Sequence, residues 1–158
     1  MRILGIDPGY ERLGIAVLDK AQGKERVIFS ECFKTSAKLD FAKRLLLIGK
    51  EIKKVIKKYQ PEILSIETLF LATNQKTAMR VAETRGVIIY TASEAGLQIF
   101  ETTPLQIKMA TTGYGRADKN QIIKMVKMLV DVDSSKKSDD ELDAIAIALT
   151  AFAYKKNN

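Results

Sequence analysis

The sequence predicts an α/β domain built on a five-stranded mixed sheet whose first three strands are antiparallel, with helices flanking it. Three observations lead there. Residues 2 to 33 alternate short apolar, β-branched runs with turn residues, as in a meander. From Asp40 the apolar residues change to helical spacing, and two further short apolar runs, each following a helix, read as strands, the first of them parallel to the opening strand in a βαβ unit. A chain of 158 residues with 46% hydrophobic content supports one sizeable core, so residues 1–158 form a single domain.

The first strand is the run Arg2-Ile3-Leu4-Gly5-Ile6, ending on Asp7 where Pro8-Gly9 supplies a turn. Asp7 is there either a turn residue or a metal ligand. Leu13–Leu18 and Arg26–Phe33 are the second and third strands. Asp40–Tyr59 is an amphipathic helix with Phe41, Leu45, Ile48, Ile52, Val55, Ile56 and Tyr59 on one face. Asp40 caps its start and Pro61 marks its end. Lys50, Lys53, Lys54, Lys57 and Lys58 form the opposite face, expected to be solvated rather than a nucleic-acid stripe.

Ile63–Glu67 is the fourth strand, again ending on a carboxylate, and it should lie parallel to the first. The loop from Thr68 to Thr73 carries Leu69, Phe70 and Leu71, which are either core anchors or a surface wedge. Asn74–Glu94 reads as a long helix with a ridge of small residues, Ala78, Ala82 and Gly86. Glycine inside a helix costs about 1 kcal/mol relative to alanine, so close approach of another backbone, in a dimer or against the sheet, is expected there. Leu97–Thr102 is the fifth strand. Thr103-Pro104 starts a short helix that breaks at Thr111–Gly115, and Asp118 caps another running to about Val130. Asp131–Lys137 is a polar linker.

The last helix begins near Ser138 and runs to residue 153. Ser138 and Glu141 fit a capping box, and Asp139 and Asp140 suit the positive end of the helix dipole. Asp143 lies a turn inside a helix that is apolar almost all round, so it should be buried and in need of a cation or several donors. Asp140 and Asp143 share a face, opposite Leu142, Ile145, Leu149 and Phe152.

Composition narrows the chemistry. The chain has no histidine, which removes the usual general base, the usual zinc ligand and every imidazole-dependent triad. Cys32 is the single cysteine, expected to sit quietly in its strand and consistent with a reducing, cytoplasmic setting. No run is long enough to span a membrane, and residues 1 to 20 read as strands rather than a cleavable signal. Lys plus Arg exceed Asp plus Glu by 26 to 19, and the +7 charge favours a polyanionic partner.

Asp7 and Glu67 end neighbouring strands, and the Ala-lined face of the last helix lets Asp140 and Asp143 approach them. Four carboxylates from three elements cannot all stay ionised without a counter-charge. Oxygen-only ligation selects magnesium or manganese over zinc. Two such ions about 3.5 to 4 Å apart would activate water and stabilise the leaving oxygen in phosphodiester hydrolysis.

Gly5-Ile6-Asp7-Pro8-Gly9, Ile66-Glu67 followed by Phe70, Gln106-Ile107-Lys108 with Gly113-Tyr114-Gly115, and Asp140 with Asp143-Ala144-Ile145-Ala146-Ile147-Ala148 occur in that order. Together they resemble the RuvC family of Holliday-junction resolvases from residue 1 to about residue 153. The resemblance implies an RNase H-like fold, a homodimer, and paired magnesium-dependent nicks in a four-way DNA junction, with RuvA and RuvB as branch-migration partners. It makes Asp7, Glu67, Asp140 and Asp143 the metal ligands, two Mg2+ ions the cofactor with Mn2+ as a substitute, and Phe70 the aromatic that stacks on an opened base. Lys108 and Lys119 match basic residues that contact phosphate or stabilise the transition state. A buried anchor for Phe70 and an ordinary helix-face lysine for Lys119 are the plain alternatives. Asp139, i,i+4 to Asp143, competes with Asp140 as ligand, and the i,i+3 register favours Asp140. Other readings are an RNase H-like nuclease of the RuvX/YqgF type acting on RNA, a non-catalytic junction-binding protein, and an actin-like phosphotransfer domain, for which the chain is too short.

Overall fold

The computed structural model describes residues 1–21, 23–69, 75–130 and 137–155. Its five-stranded sheet has the order β3-β2-β1-β4-β5. β1 (Arg2–Asp7) is central, antiparallel to β2 (Arg12–Ala21) and parallel to β4 (Ile63–Glu67). β3 (Lys24–Lys34) pairs antiparallel with β2, and β5 (Gln98–Thr102) parallel with β4. The expected mixed sheet is therefore observed. β1 has no polar side because both its faces are covered: Leu4 and Ile6 enter one core with Ile48, Ile52 and Ile88, while Ile3 enters the other with Ile145 and Phe152.

The first core lies beneath α1 (Phe41–Tyr59) and α2 (Gln75–Glu94). The second lies beneath α3 (Pro104–Thr112), α4 (Lys119–Val130) and α5 (Asp139–Lys155). β2 and β3 run further than their apolar residues predict, because cross-strand pairing carries the hairpin through Asp19↔Arg26 and Lys20↔Glu25, the latter an ion pair at 2.5 Å. The α1 lysine face is solvated as expected, with Lys53 paired to Glu94 and Lys54 to Glu51. Asp40 occupies the N-cap position of α1 but makes no side-chain cap bond, pairing instead with Lys43 at 3.3 Å.

α5 is buried almost all round, from Ala144 to Phe152. Its approach depends on two notches in the sheet. A Cβ at Gly5 would overlap the Ala144 carbonyl oxygen and stand 2.8 Å from Ala148 Cβ, and one at Gly14 would overlap the Asp140 carbonyl oxygen. Ser65, fully buried on β4, fastens the contact by donating to the Ile147 carbonyl at 2.8 Å. Small residues on both partners thus bring the helix backbone against β1 and β2, with Asp140 and Asp143 at the sheet's carboxyl end.

The α2 ridge behaves differently from a packing seam. Ala78 is buried, but Ala82 and Gly86 are exposed, and a Cβ at Gly86 would meet nothing within 4 Å. The sheet does not explain Gly86. Around it Met79 and Tyr90 are 68% and 66% exposed.

Candidate active site

Asp7 and Glu67 follow Ile6 and Ile66, which are paired in the parallel ladder, so the two carboxylates leave adjacent strands at the same level. The first turns of α5 supply Asp143 and Asp140. Asp7, Glu67 and Asp143 line one cavity of about 320 Å³ together with Lys108 on α3 and Lys119 on α4. Asp140 stands beside Gly14, next to Asp7.

The local sequence accounts for each placement. Thr103 and Gln106 close a reciprocal capping box, with Gln106 N–H donating to Thr103 Oγ1 at 3.2 Å and Thr103 N–H to Gln106 Oε1 at 2.8 Å. That fixes the start of α3 and hence the position of Lys108. Asp118 accepts from the Gln121 N–H at 2.9 Å at the start of α4, where Lys119 is the first helical residue. Ser138 and Glu141 form the expected box at the start of α5, with bonds of 3.0 and 3.4 Å.

The electrostatics are those of crowded acids. Burial pushes the Asp7 carboxyl from 3.8 up to about 7, aided by Asp143, Glu67 and Asp140, with Lys119 opposing. Burial and then Asp143 raise Glu67, against Arg85. Asp143 is also raised by burial, although Lys119 donates to it at 3.1 Å. Asp140 goes the other way. Burial acts against its charge, but Arg12 Nε and Nη2 donate to Oδ2 at 2.9 and 2.5 Å, and Cys32 Sγ lies 3.4 Å from the same oxygen, holding the carboxyl below its ordinary range. Asp139 is exposed, among the described residues pairs only with Lys119 at 3.5 Å, and is not among the main charges acting on Asp7.

This donor set suits a hard divalent cation: all-oxygen, and overcharged enough that Asp7 resists ionisation at neutral pH. As placed, no three of the described His, Cys, Asp or Glu side chains are grouped closely enough to hold one ion. Two of these acids are instead paired with cations of the chain itself, Asp140 with Arg12 and Asp143 with Lys119.

Two expectations need correction. Asp143 is half-buried rather than buried, because its carboxylate opens onto the cavity and meets Lys119. Cys32 is not a quiet strand residue, since its thiol is bonded to Asp140. Phe70 lies outside the described residues. Lys108 lines the cavity and, among the described residues, pairs with no carboxylate. Sequence reasoning missed Arg12, which lay in an apparent turn, and Arg85, whose side chain is mostly buried, ion-paired to Glu101, and lines a second cavity of about 300 Å³ with Asp7 and Glu67. Neither has a local signal: their partners are 128 and 16 residues away.

The family model for the crossover junction endodeoxyribonuclease RuvC matches residues 3–151. The chain belongs to the RuvC family. The RuvC of Caldicellulosiruptor saccharolyticus is 46% identical over 150 residues, covering 94% of this chain and 90% of the relative, and that of Thermosipho melanesiensis 45% identical, covering 94% of each. A structure of T. thermophilus RuvC in complex with a Holliday junction substrate superposes with a TM-score of 0.93 at 30% identity, covering 99% of this chain and 96% of that one. The yeast mitochondrial Holliday junction resolvase shares the fold at a TM-score of 0.74 and 14% identity. The expected RNase H-like fold and endodeoxyribonuclease activity follow from membership of the RuvC family, and the RNA-directed and idle-binder readings give way. Among the described residues no helix is long and apolar enough to cross a membrane.

Proposed function

We propose that this RuvC-family member resolves four-way DNA junctions through a magnesium site held by Asp7, Glu67, Asp140 and Asp143. The observation that carries it is the convergence of Asp7, Glu67 and Asp143 from β1, β4 and α5 on one cavity with Lys108 and Lys119, with the charge of Asp140 also acting on Asp7. When bound, two divalent ions supply an activated water and charge neutralisation at the scissile phosphate, with manganese able to replace magnesium. The chain's own residues do the rest. Asp140 rather than Asp139 is the α5 ligand, since it is the one beside Asp7. Lys108, free of carboxylate partners among the described residues, grips a phosphate oxygen, and Lys119, released from Asp143, faces the developing negative charge. Phe70, following β4, stacks on a base opened at the junction.

Paired nicks require two sites in fixed relation. A homodimer provides them, and the exposed face of α2 bearing Met79, Ala82, Gly86 and Tyr90 is its interface, with Gly86 admitting the partner's backbone. RuvA and RuvB are the branch-migration partners in a cytoplasmic setting. The test is cleavage of a synthetic four-way junction with the nicks mapped. Symmetric nicks in two strands of like polarity with Mg2+, none with EDTA, and none with Asp7→Asn are expected. Unchanged Mg2+-dependent nicking by Asp7→Asn would remove the metal-site reading.

A further inference from the structure

Arg12 is absent from the roles above, yet it makes the most elaborate contact in the site. It emerges at the start of β2, its side chain 52% exposed, while the Asp140 side chain is only 20% exposed. Two guanidinium N–H groups converge on Asp140 Oδ2, and the Cys32 thiol is bonded to the same atom. A carboxylate oxygen has two lone pairs, so Oδ2 with three donors has none left for a metal ion, and only Oδ1 stays open to one. Asp140 does not line the cavity that Asp7, Glu67 and Asp143 share, and no three described acids are grouped to hold an ion.

We propose that Arg12 is a tethered competitor of the metal: it occupies Oδ2 of Asp140 in the metal-free protein and must leave before a divalent ion takes that oxygen, thereby setting how much metal the site requires. This rests on Asp140 being a metal ligand. Two charge-assisted hydrogen bonds from Arg12 to one oxygen favour the ionised form of Asp140 and hold it in place. Arg12 is also exposed enough to exchange, because an ion pair reached by water is worth little beside a divalent ion. The device keeps a crowded acidic site from being left without cations when it is empty.

The test is calorimetric titration of the full-length, metal-free protein with Mn2+, without DNA, so that cleavage plays no part in the readout. Arg12→Gln is expected to bind Mn2+ about threefold tighter or more. Arg12→Lys, which keeps the charge and loses the fork, should fall between it and the wild type. Lys57→Gln, removing one positive charge from the opposite face, should match the wild type, separating local competition from net charge. Circular dichroism verifies that each variant is folded; Arg12→Lys carries the test if Arg12→Gln is not. Asp140→Asn should weaken binding and, combined with Arg12→Gln, abolish the gain. If Asp140→Asn weakens binding while both Arg12 variants bind no tighter than wild type, the competitor role is overturned. If wild type takes up no Mn2+, or Asp140→Asn takes it up unchanged, the metal-site reading fails and the inference with it.

Discussion

At Asp7 the chain places a carboxylate where its own charge is opposed by burial and by three other acids. The consequence for stability has a definite sign. A carboxyl whose folded value is raised from 3.8 to about 7 binds its proton more tightly when folded, so the metal-free protein should lose stability as pH rises through that interval. The loss from this group is on the order of a few kcal/mol once it is fully ionised. Asp7→Asn removes the titration. It should therefore melt at a higher temperature than wild type at pH 8 in EDTA, and nearly with it at pH 4. Thermal unfolding at both pH values tests this, and equal melting at pH 8 would show that Asp7 is not under charge strain. Glu67 and Asp143, also raised, add to the slope with the same sign, whereas Asp140 and Glu141, both lowered, contribute stability that disappears in acid.

At the scale of the element, α5 is the piece on which the site depends. It is held at backbone distance from β1 and β2 by Gly5 and Gly14 and tied to β4 by Ser65. Gly5→Ala forces its Cβ into the Ala144 carbonyl, so the helix must shift; a loss of about 3 kcal/mol in denaturant unfolding is expected, with junction cleavage falling as Asp143 moves from Asp7. Full stability in this variant would mean that the notch is not a tight contact. α3 offers a milder case. Thr103→Ala opens its capping box and should cost about 1 kcal/mol by the same measurement, with a small effect on cleavage through Lys108.

For the whole molecule, the two faces of the sheet have separate tasks. α5, α3 and α4 carry the candidate site on one, while α1 and α2 cover the other and leave an apolar strip on α2 exposed to solvent. Gly86→Leu fills that strip at a point where the described residues offer no neighbour within 4 Å, so the protomer should fold normally and sediment as a monomer; an unchanged dimer would place the interface elsewhere. The basic surface should make junction affinity fall steeply with added salt through counterion release. A flat salt dependence would mean that the +7 charge is incidental to binding.

Much of the fold was legible because its signals are local. The switch from alternating to helical period marked the meander and α1, Thr103-Pro104 and Ser138–Glu141 announced two helix starts through backbone capping, and apolar runs ending on Asp7 and Glu67 pointed to carboxylates at strand ends. The absence of histidine then directed the chemistry toward hard cations. What the order of residues by itself determined was five strands with an antiparallel start, the fourth parallel to the first, and the acids at their ends; the full strand order came from the packed sheet. Tertiary structure alone decided that Arg12 and Cys32 meet on one oxygen of Asp140, that Arg85 turns toward Glu101 beside Glu67, that Asp143 opens onto a cavity, and that Gly86 faces solvent while Gly5 faces a helix. The physical reason is range: capping and periodicity act over a few residues of one chain segment, whereas ion pairs and backbone notches depend on which distant elements the packed core brings together.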